Sequence, residues 1–429
     1  MGGDSSGYDE VADTGRPLHR DANFMVFWAG QALSQFGAQL GLLAMPVLAV
    51  ALLHASEWEV GVLNAANTAA FLAVGLPVGA WVDRWCKRPV MIRADLARAL
   101  LLAVIPLAWY LGVLEVWHLW VVALLLGVAT VFFDVSYQSY IPWIVHRGRI
   151  SEANARLETT GQVSRLAGPA AAGTLLGIVA APVLFIGQAV GYVLSALCLW
   201  RVRDREEPAD ARPPDLRAEI AEGLGYVLRH PLIGRIAAAT AITNFFSTIL
   251  FTLAPILVLR TLGLDPVQLG LVYSIGAAGG LLAAAITPWV AARLGEGTSL
   301  PVATLVTSVG MAGFPLSVLV PGAWAFPLLA ASMFVLTMGV LVYNIIQVSM
   351  RQKICPPRLL GRMNASIRFL VWGVLPVAAL LAGVLGEAWG PVAAMWVGVA
   401  GSALAAVPLL LSPIARMRTL PDAPEDDAA

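Results

Sequence analysis

Charged residues are scarce in this sequence. Asp, Glu, Lys and Arg make up 13% of the 429 residues, whereas hydrophobic residues make up 59%. A soluble domain carries roughly 25% charged residues, so this chain has too little polar surface to face water on every side. A lipid bilayer is the solvent that removes the problem. The formal net charge is zero, so the composition offers no basic surface to a nucleic acid, and we expect no such partner.

Cysteine is also rare. Cys86, Cys198 and Cys355 lie far apart without a CxxC spacing, which argues against a disulfide framework and a cysteine zinc site. The sequence contains no Walker loop, no metal-ligand cluster and no nucleophile–base arrangement. We therefore expect no enzyme activity, no cofactor and no metal. We expect a proton gradient as the energy source. The first twenty residues are polar and contain no apolar stretch, so no signal peptide is expected.

Long apolar segments are abundant. Twelve of them reach the roughly 20 residues that a membrane-spanning helix needs. They lie at 24–53, 57–82, 89–112, 116–145, 153–178, 181–200, 232–259, 267–292, 299–320, 323–350, 358–386 and 389–412. The sequence therefore predicts an all-α polytopic membrane protein with 12 transmembrane helices.

A polar stretch separates the sixth segment from the seventh and divides the chain. The predicted parts are a cytoplasmic N-terminal tail, a first six-helix half, a cytoplasmic linker, a second six-helix half and a cytoplasmic C-terminal tail. Their boundaries are 1–23, 24–200, 201–230, 231–412 and 413–429. Within the linker, Leu216, Ile220, Leu224 and Val227 fall on one helical face. This pattern predicts an amphipathic helix, either on the membrane surface or solvated between the halves.

Basic residues fix the orientation, because cytoplasmic loops of membrane proteins are enriched in Lys and Arg. They cluster before the first segment, between the second and third, the fourth and fifth, the sixth and seventh, and the tenth and eleventh segments, and after the last segment. The connection between the seventh and eighth segments has only Arg260. The connections around 54–56, 113–115, 179–182, 321–322 and 387–390 contain no Lys or Arg. Both termini are therefore expected in the cytoplasm, and the protein is expected in the inner or plasma membrane.

A short internal repeat supports the division into halves. The tract RGRISEANA at 147–155 aligns without gaps with PRLLGRMNA at 357–365, an offset of 210 residues. Each tract follows an even-numbered segment and opens the next one. Two six-helix halves of the same topology are the parallel-repeat design of one large transporter class, in which the substrate is handled at the interface between halves.

Three tracts carry a family resemblance. The first is GAWVDRWCKRP at 79–89, which has the order Gly, three residues, Asp-Arg, two residues and a basic pair. The second is RLAGPAAAG at 165–173, and the third is the pair of segments at 133–145 and 347–373. On these tracts the chain resembles the major facilitator superfamily, and within it the subgroup of enterobactin exporters and macrolide-efflux proteins.

The resemblance implies a cytoplasmic gate at the first tract. Asp83 would face the positive N-terminal end of the predicted span at 358–386 in the second half, or pair directly with Arg358 or Arg362 at its start. The alternative is that the basic residues are only a topology signal. The gate residues implied by the resemblance are Gly79, Asp83, Arg84, Lys87, Arg88, Arg358 and Arg362. The second half has Ala291 and Ala292 where the first half has Asp83 and Arg84.

Charges inside the spans point to function, because an unpaired charge is costly there. Asp134 and Arg165 lie at similar depth on consecutive antiparallel segments, about 18 Å from the cytoplasmic end. We therefore expect them to pair, with Asp134 as the proton carrier; the alternative is a static buried pair. Asp95 and Arg98 form a second pair, at i and i+3, which we interpret as structural.

Other residues in the spans complete the prediction. The resemblance implies a helix-packing motif formed by Gly168, Pro169 and Gly173, with plain packing or a seal against proton leak as alternative roles. Polar, aromatic and basic span residues are candidates for a substrate cavity. These candidates are Gln31, Gln35, Asn67, Tyr137, Asn244, Asn344 and Arg368.

The leading functional hypothesis is a secondary active transporter. It would export an amphiphilic small molecule, such as a macrolide-like drug or a siderophore, in exchange for protons. The expected partners are the lipid bilayer, the small-molecule substrate and protons, and a monomer is expected. Two alternatives remain: a nutrient importer or uniporter, and a non-transporting membrane sensor or assembly partner.

Overall fold

The structure is a computed structural model that describes residues 18–204, 206, 216–356 and 359–418. Over these residues it contains helices and connecting loops and no β-strand. The α-helices are α1 Ala22–Val47, α2 Glu57–Arg84, α3 Lys87–Tyr110, α4 Val116–Ile144, α5 Ile150–Leu176, α6 Ala181–Arg201, α7 Leu216–Arg229, α8 Ile233–Ile256, α9 Pro266–Leu294, α10 Glu296–Leu316, α11 Gly322–Ile354, α12 Leu360–Gly373, α13 Leu375–Trp389, α14 Pro391–Leu404 and α15 Ala406–Leu410. The prediction of an all-helical chain is confirmed.

Every predicted span coincides with one long helix or with two consecutive helices. The predicted span at 358–386 is divided into α12 and α13, because Pro376 at the start of α13 has no N–H to continue the helix. Among the described residues, nine helical stretches are long and apolar enough to cross a membrane. The long helices outside this set are α2, α3 and α5. Of these, α3 and α5 fall short because each carries several charged side chains.

The first compact unit comprises residues 1–48 and 73–213. Its described part contains α1, the end of α2 and α3 to α6. Phe24, Phe27 and Met91 are fully or almost fully buried in its core with Tyr140. Small residues allow close packing: Gly37 of α1 lies directly against the backbone of Gln188 in α6.

The second compact unit comprises residues 49–72 and 214–429. Its described part contains the start of α2 and α7 to α15. A hydrogen bond of 2.6 Å from Asn64 to Thr252 joins α2 to α8, and an added Cβ at Gly61 would lie 2.8 Å from the Gly383 Cα. The predicted domain boundaries at 200 and 231 stay a prediction.

The predicted linker helix is present as α7, and its second half packs against protein. Val227 is fully buried in the core of the second unit. Gly223 lies against α12, where an added Cβ would come within 2.6 Å of the Arg362 carbonyl oxygen. This part of α7 is therefore a docked helix.

Helix boundaries recur along the chain at a nearly constant interval. A five-residue π-helix follows α1 at Leu48–Leu52, and another follows α8 at Leu257–Thr261, 209 residues later. Each is preceded by a proline two residues before it, Pro46 and Pro255. The starts of α2 and α9, and those of α3 and α10, are also 209 residues apart, while the ends of α4 and α11 are 210 residues apart.

Candidate functional site

A polar cavity of about 640 Å³ lies within the first unit. Residues of five helices, α1, α3, α4, α5 and α6, form its wall. Four of its residues carry charge, namely Arg98, Asp134, Glu158 and Arg165. Tyr137, Phe133 and Tyr192 supply aromatic surface, and uncharged polar side chains such as Gln31 and Gln35 complete it. The cavity therefore offers charges of both signs beside aromatic rings.

The structure brings five of the predicted site residues together. The proton-coupling candidates Asp134 and Arg165 line this cavity with the predicted cavity residues Gln31, Gln35 and Tyr137. The other predicted cavity residues belong to the second unit and do not line it. These residues are Asn67, Asn244, Asn344 and Arg368. Asn67 is exposed, and the Asn244 amide donates to the Val371 carbonyl at 3.5 Å. Asn344 accepts from Gln347 at 3.3 Å, and the Arg368 guanidinium lies 5.7 Å from the ring centre of Trp372.

Arg165 forms an ion pair within its own helix. Its Nη2 lies 2.6 Å from Oε1 of Glu158, two turns earlier in α5, and its Nε donates to Gln162 at 3.4 Å. Glu158 and Arg165 are both substantially exposed to the cavity. Asp134 lies on the wall of the same cavity, so a carboxylate of α4 shares this space with the α5 ion pair. A direct pairing of Asp134 with Arg165 stays a prediction.

A second ion pair is buried in the wall beneath the cavity. Asp95 is completely buried and Arg98 is 4% exposed, and the Arg98 Nη2 donates to Oδ1 of Asp95. The guanidinium is held between two rings, with its Cζ 4.1 Å from the centre of Phe133 and 4.2 Å from that of Tyr192. Cation–π contacts of this kind favour the charged guanidinium in a desolvated site. Asp95 Oδ2 and Arg98 Nε have no hydrogen-bond partner among the described residues.

Glu158 and the cavity-facing position of Arg98 are the features that sequence reasoning missed. Glu158 belongs to a polar stripe on α5, in which Asn154 precedes it by four residues and Arg165 follows by seven. That helical spacing was the available signal, because a polar stripe on a transmembrane helix faces protein or an aqueous cavity. No comparable signal places Arg98 between the rings of α4 and α6.

The basic pair of the first tract is bound to acidic residues that follow α6. The Lys87 Nζ lies 3.2 Å from Glu206, and the Glu206 carboxylate also accepts from the backbone N–H groups of Lys87 and Arg88 at 2.6 and 3.4 Å. Arg88 donates to the carbonyls of Leu199 and Trp200 at 2.8 and 2.5 Å. The structure thus ties the start of α3 to the end of α6.

Glu206 acts as the missing cap of α3. The residue at the N-cap position, Cys86, makes no side-chain cap hydrogen bond. Instead, the carboxylate of Glu206, which lies 120 residues later in the chain, accepts from the N–H groups at the start of α3. The Glu206 side chain is only 1% exposed. Burial and the Glu206 charge raise the pKa of the Cys86 thiol. Alongside, Tyr140 donates to Asp204 at 2.5 Å, and Asp204 lies 3.6 Å from Arg88.

The other gate residues are only partly described. Gly79, Asp83 and Arg84 lie in the last turns of α2, and the Asp83 side chain lies outside the described part. Arg84 is exposed. Arg358 also lies outside the described residues, and Arg362 pairs with Glu222 of α7. The gate role stays a prediction.

The predicted packing motif lies at the contact of α5 with α1. Gly168, Pro169 and Gly173 are all buried. A side chain at Gly168 would collide with Gln39 of α1. The glycine therefore permits the two helices to approach closely. A role in sealing or coupling stays a prediction.

Comparison with models of known protein families shows the superfamily of this chain. A model of the Major Facilitator Superfamily matches residues 27–376. The chain belongs to this superfamily. It is therefore a multi-span membrane protein of the transporter kind and not an enzyme.

Two curated relatives of this superfamily member match most of both chains. An uncharacterised MFS-type transporter, YfiS, of Bacillus subtilis is 27% identical over 392 residues, covering 88% of each chain. Macrolide efflux protein A of Streptococcus pyogenes is 21% identical over 380 residues, covering 86% of this chain and 90% of the relative.

Solved structures share the fold. A mutant of the nucleoside transporter NupG matches with a TM-score of 0.75 at 13% identity, covering 91% of this chain and 99% of that chain. A bacterial homologue of the iron transporter ferroportin matches with a TM-score of 0.73 at 16% identity, covering 92% and 99%.

Proposed function

We propose that the chain forms 12 transmembrane helices in two six-helix pseudo-symmetric halves, with both termini in the cytoplasm. The recurring helix boundaries and the paired π-helices support two copies of one topology. The clustering of basic residues in connections that are expected on the cytoplasmic side supports the orientation. Of the three long helices that are less apolar, α3 and α5 supply charged residues to the cavity wall, namely Arg98, Glu158 and Arg165.

On this framework the protein is a proton-coupled exporter of an amphiphilic small molecule, working by alternating access. The observation that carries the proposal is the cavity of the first unit, where Asp134, Glu158 and Arg165 lie beside Tyr137 and Phe133. Aromatic faces contact apolar parts of a ligand, and the charged groups hold its polar parts. Similarity to a macrolide efflux protein over most of both chains favours export and this substrate class.

In this proposal Asp134 couples the movement of substrate to that of protons. Asp134 is ionised when it holds a donor or cationic group of the substrate, and a proton takes its place when the substrate leaves. Protonation removes one negative charge from the cavity wall and weakens the attraction for a cation. Arg165 stays paired with Glu158 and limits the net charge of the cavity.

Efflux from cells tests the proposal. Cells that overproduce the protein should accumulate less of a labelled macrolide or cationic dye than control cells, and a protonophore should abolish the difference. Asp134→Asn should lose this activity while remaining in the membrane. The matched control is Glu387→Gln, an exposed acid at the end of α13.

Three outcomes would contradict parts of the proposal. Full efflux by Asp134→Asn would remove the assigned role of that residue. Greater accumulation in producing cells would favour import or uniport. Absence of flux in proteoliposomes that contain folded protein, for any substrate of a broad panel, would favour a non-transporting role.

A further inference from the structure

A second cavity lies on the opposite side of α3 and α4 from the polar one. It is a groove of about 480 Å³ lined by side chains of these two helices together with Trp85, and its lining is apolar except for Arg93. On α3 the groove side is exposed, with Leu100 72% exposed, whereas Asp95 on the other side is completely buried. In a membrane protein, such exposed apolar side chains face lipid.

Aromatic side chains mark one end of the groove. Trp85 and Phe132 line it, with ring centres 6.4 Å apart and nearly parallel planes, and Trp81 stacks on both at 6.3 Å. Trp81 and Trp85 are each almost half exposed. Exposed tryptophans beside an apolar surface are typical of the membrane–water interface. This end of the groove therefore lies at the depth of lipid headgroups.

Arg93 stands at the same end and differs from its basic neighbours. Lys87 and Arg88 are occupied by Glu206, Asp204 and backbone carbonyls. Arg93 is exposed and makes no ion pair with any described residue. It lies six residues after Lys87, about 9 Å along the helix axis. A long arginine at this depth extends its guanidinium to the interface while its stem stays in the apolar layer.

We propose that this groove binds an anionic phospholipid, with an acyl chain along α3 and α4 and the phosphate on Arg93. An apolar slot with a single cation at its interfacial end matches a ligand with one apolar chain and one negative head. A guanidinium binds the phosphate of either headgroup, but the positive choline of a zwitterionic lipid offsets the phosphate charge, so the net attraction favours an anionic headgroup. The site is separate from the polar cavity and does not depend on the transported substrate.

Native mass spectrometry of the intact, detergent-purified protein tests this site. The protein is titrated with phosphatidylglycerol and, separately, with phosphatidylcholine of the same acyl chains. The wild type should bind one phosphatidylglycerol molecule more tightly than phosphatidylcholine. Arg93→Gln should reduce phosphatidylglycerol binding about fivefold, the effect of one basic residue near an anionic lipid. Arg93→Lys should retain most of the preference.

Two further variants separate the groove from general charge. Ala97→Phe fills the groove without removing Arg93 and should weaken binding of both lipids. Arg229→Gln removes an exposed arginine at the end of α7 and should change neither. Equal binding of the two lipids by the wild type, or an undiminished preference in Arg93→Gln, would overturn the proposal.

Discussion

The buried pair of Asp95 and Arg98 allows a sharp test, because its two members respond differently to loss of the partner. Asp95→Asn leaves the guanidinium of Arg98 charged in the wall of the cavity, and arginine cannot give up its proton at any accessible pH. Arg98→Gln leaves a completely buried carboxyl, which a proton can neutralise. Each single change should therefore destabilise the protein, but with a different dependence on pH.

The burial of the pair sets the size of the effect. Both side chains are at least 96% buried, and breaking a buried ion pair by removing one partner costs about 3–5 kcal/mol. The rings of Phe133 and Tyr192 remain in Asp95→Asn and offset about 1–2 kcal/mol of this loss through cation–π contacts. In Asp95→Asn/Arg98→Gln neither charge remains. The double variant should therefore lose much less free energy of unfolding than the two single variants lose together.

Thermal unfolding of the purified variants in detergent, followed by tryptophan fluorescence, measures these differences. The double variant should melt above both single variants. For Arg98→Gln, the native state binds a proton that the unfolded state releases, so its stability should fall as pH rises from 5 to 8. Asp95→Asn should show no such added pH dependence. Single losses that simply add in the double variant would refute the coupling of the pair.

Two further predictions concern helix ends and helix contacts. Glu206→Gln should lower the free energy of unfolding by about 1–2 kcal/mol, as for loss of a helix cap. In a protein whose only cysteine is Cys86, the same change should speed alkylation, because the Glu206 charge that helps to raise the pKa of that thiol is gone. Unchanged alkylation would contradict this contact. Gly168→Ala should lower the Tm, with a loss of about 1–3 kcal/mol in the free energy of unfolding, because the Cβ of the new alanine would collide with α1. Gly225→Ala, where the Cβ meets nothing within 4 Å, should not, and equal Tm values for the two would refute the packing argument.

The sequence predicted the helices well, because spanning segments depend on local composition. Runs of about 20 apolar residues located every long helix, but the break before α13, where Pro376 lies, was not predicted. Asp134 and Arg165, which were chosen from their depth alone, both line the polar cavity, and their role in proton coupling stays a prediction. The ion pair of Arg165 with Glu158 was missed because comparison of depths favoured a partner on the neighbouring helix over one on the same helix.

Contacts between residues far apart in the chain escaped prediction for a different reason. The bond from Glu206 to the start of α3 depends on where the chain passes after α6, and no local pattern encodes that path. The clamp of Phe133 and Tyr192 around Arg98 likewise joins three helices. The resemblance implied a gate role for Lys87 and Arg88, which stays a prediction, but it gave no indication of their ion pairs with Glu206 and Asp204 within the first unit.

The capping of α3 also has a counterpart that strengthens the case for two related halves. In the second unit the N–H groups of Glu296 and Gly297, at the start of α10, donate to the carbonyls of Arg418 and Met417 at 3.2 Å. In both units, therefore, the chain that leaves the last long helix returns to cap the same helix start. The first unit uses a carboxylate and the second uses backbone carbonyls. Because the chemistry of the cap differs while its position is kept, the cap depends on the path of the chain after the last long helix. A shared path of this kind is what the proposed two halves of one topology would produce, whichever half carries the charges.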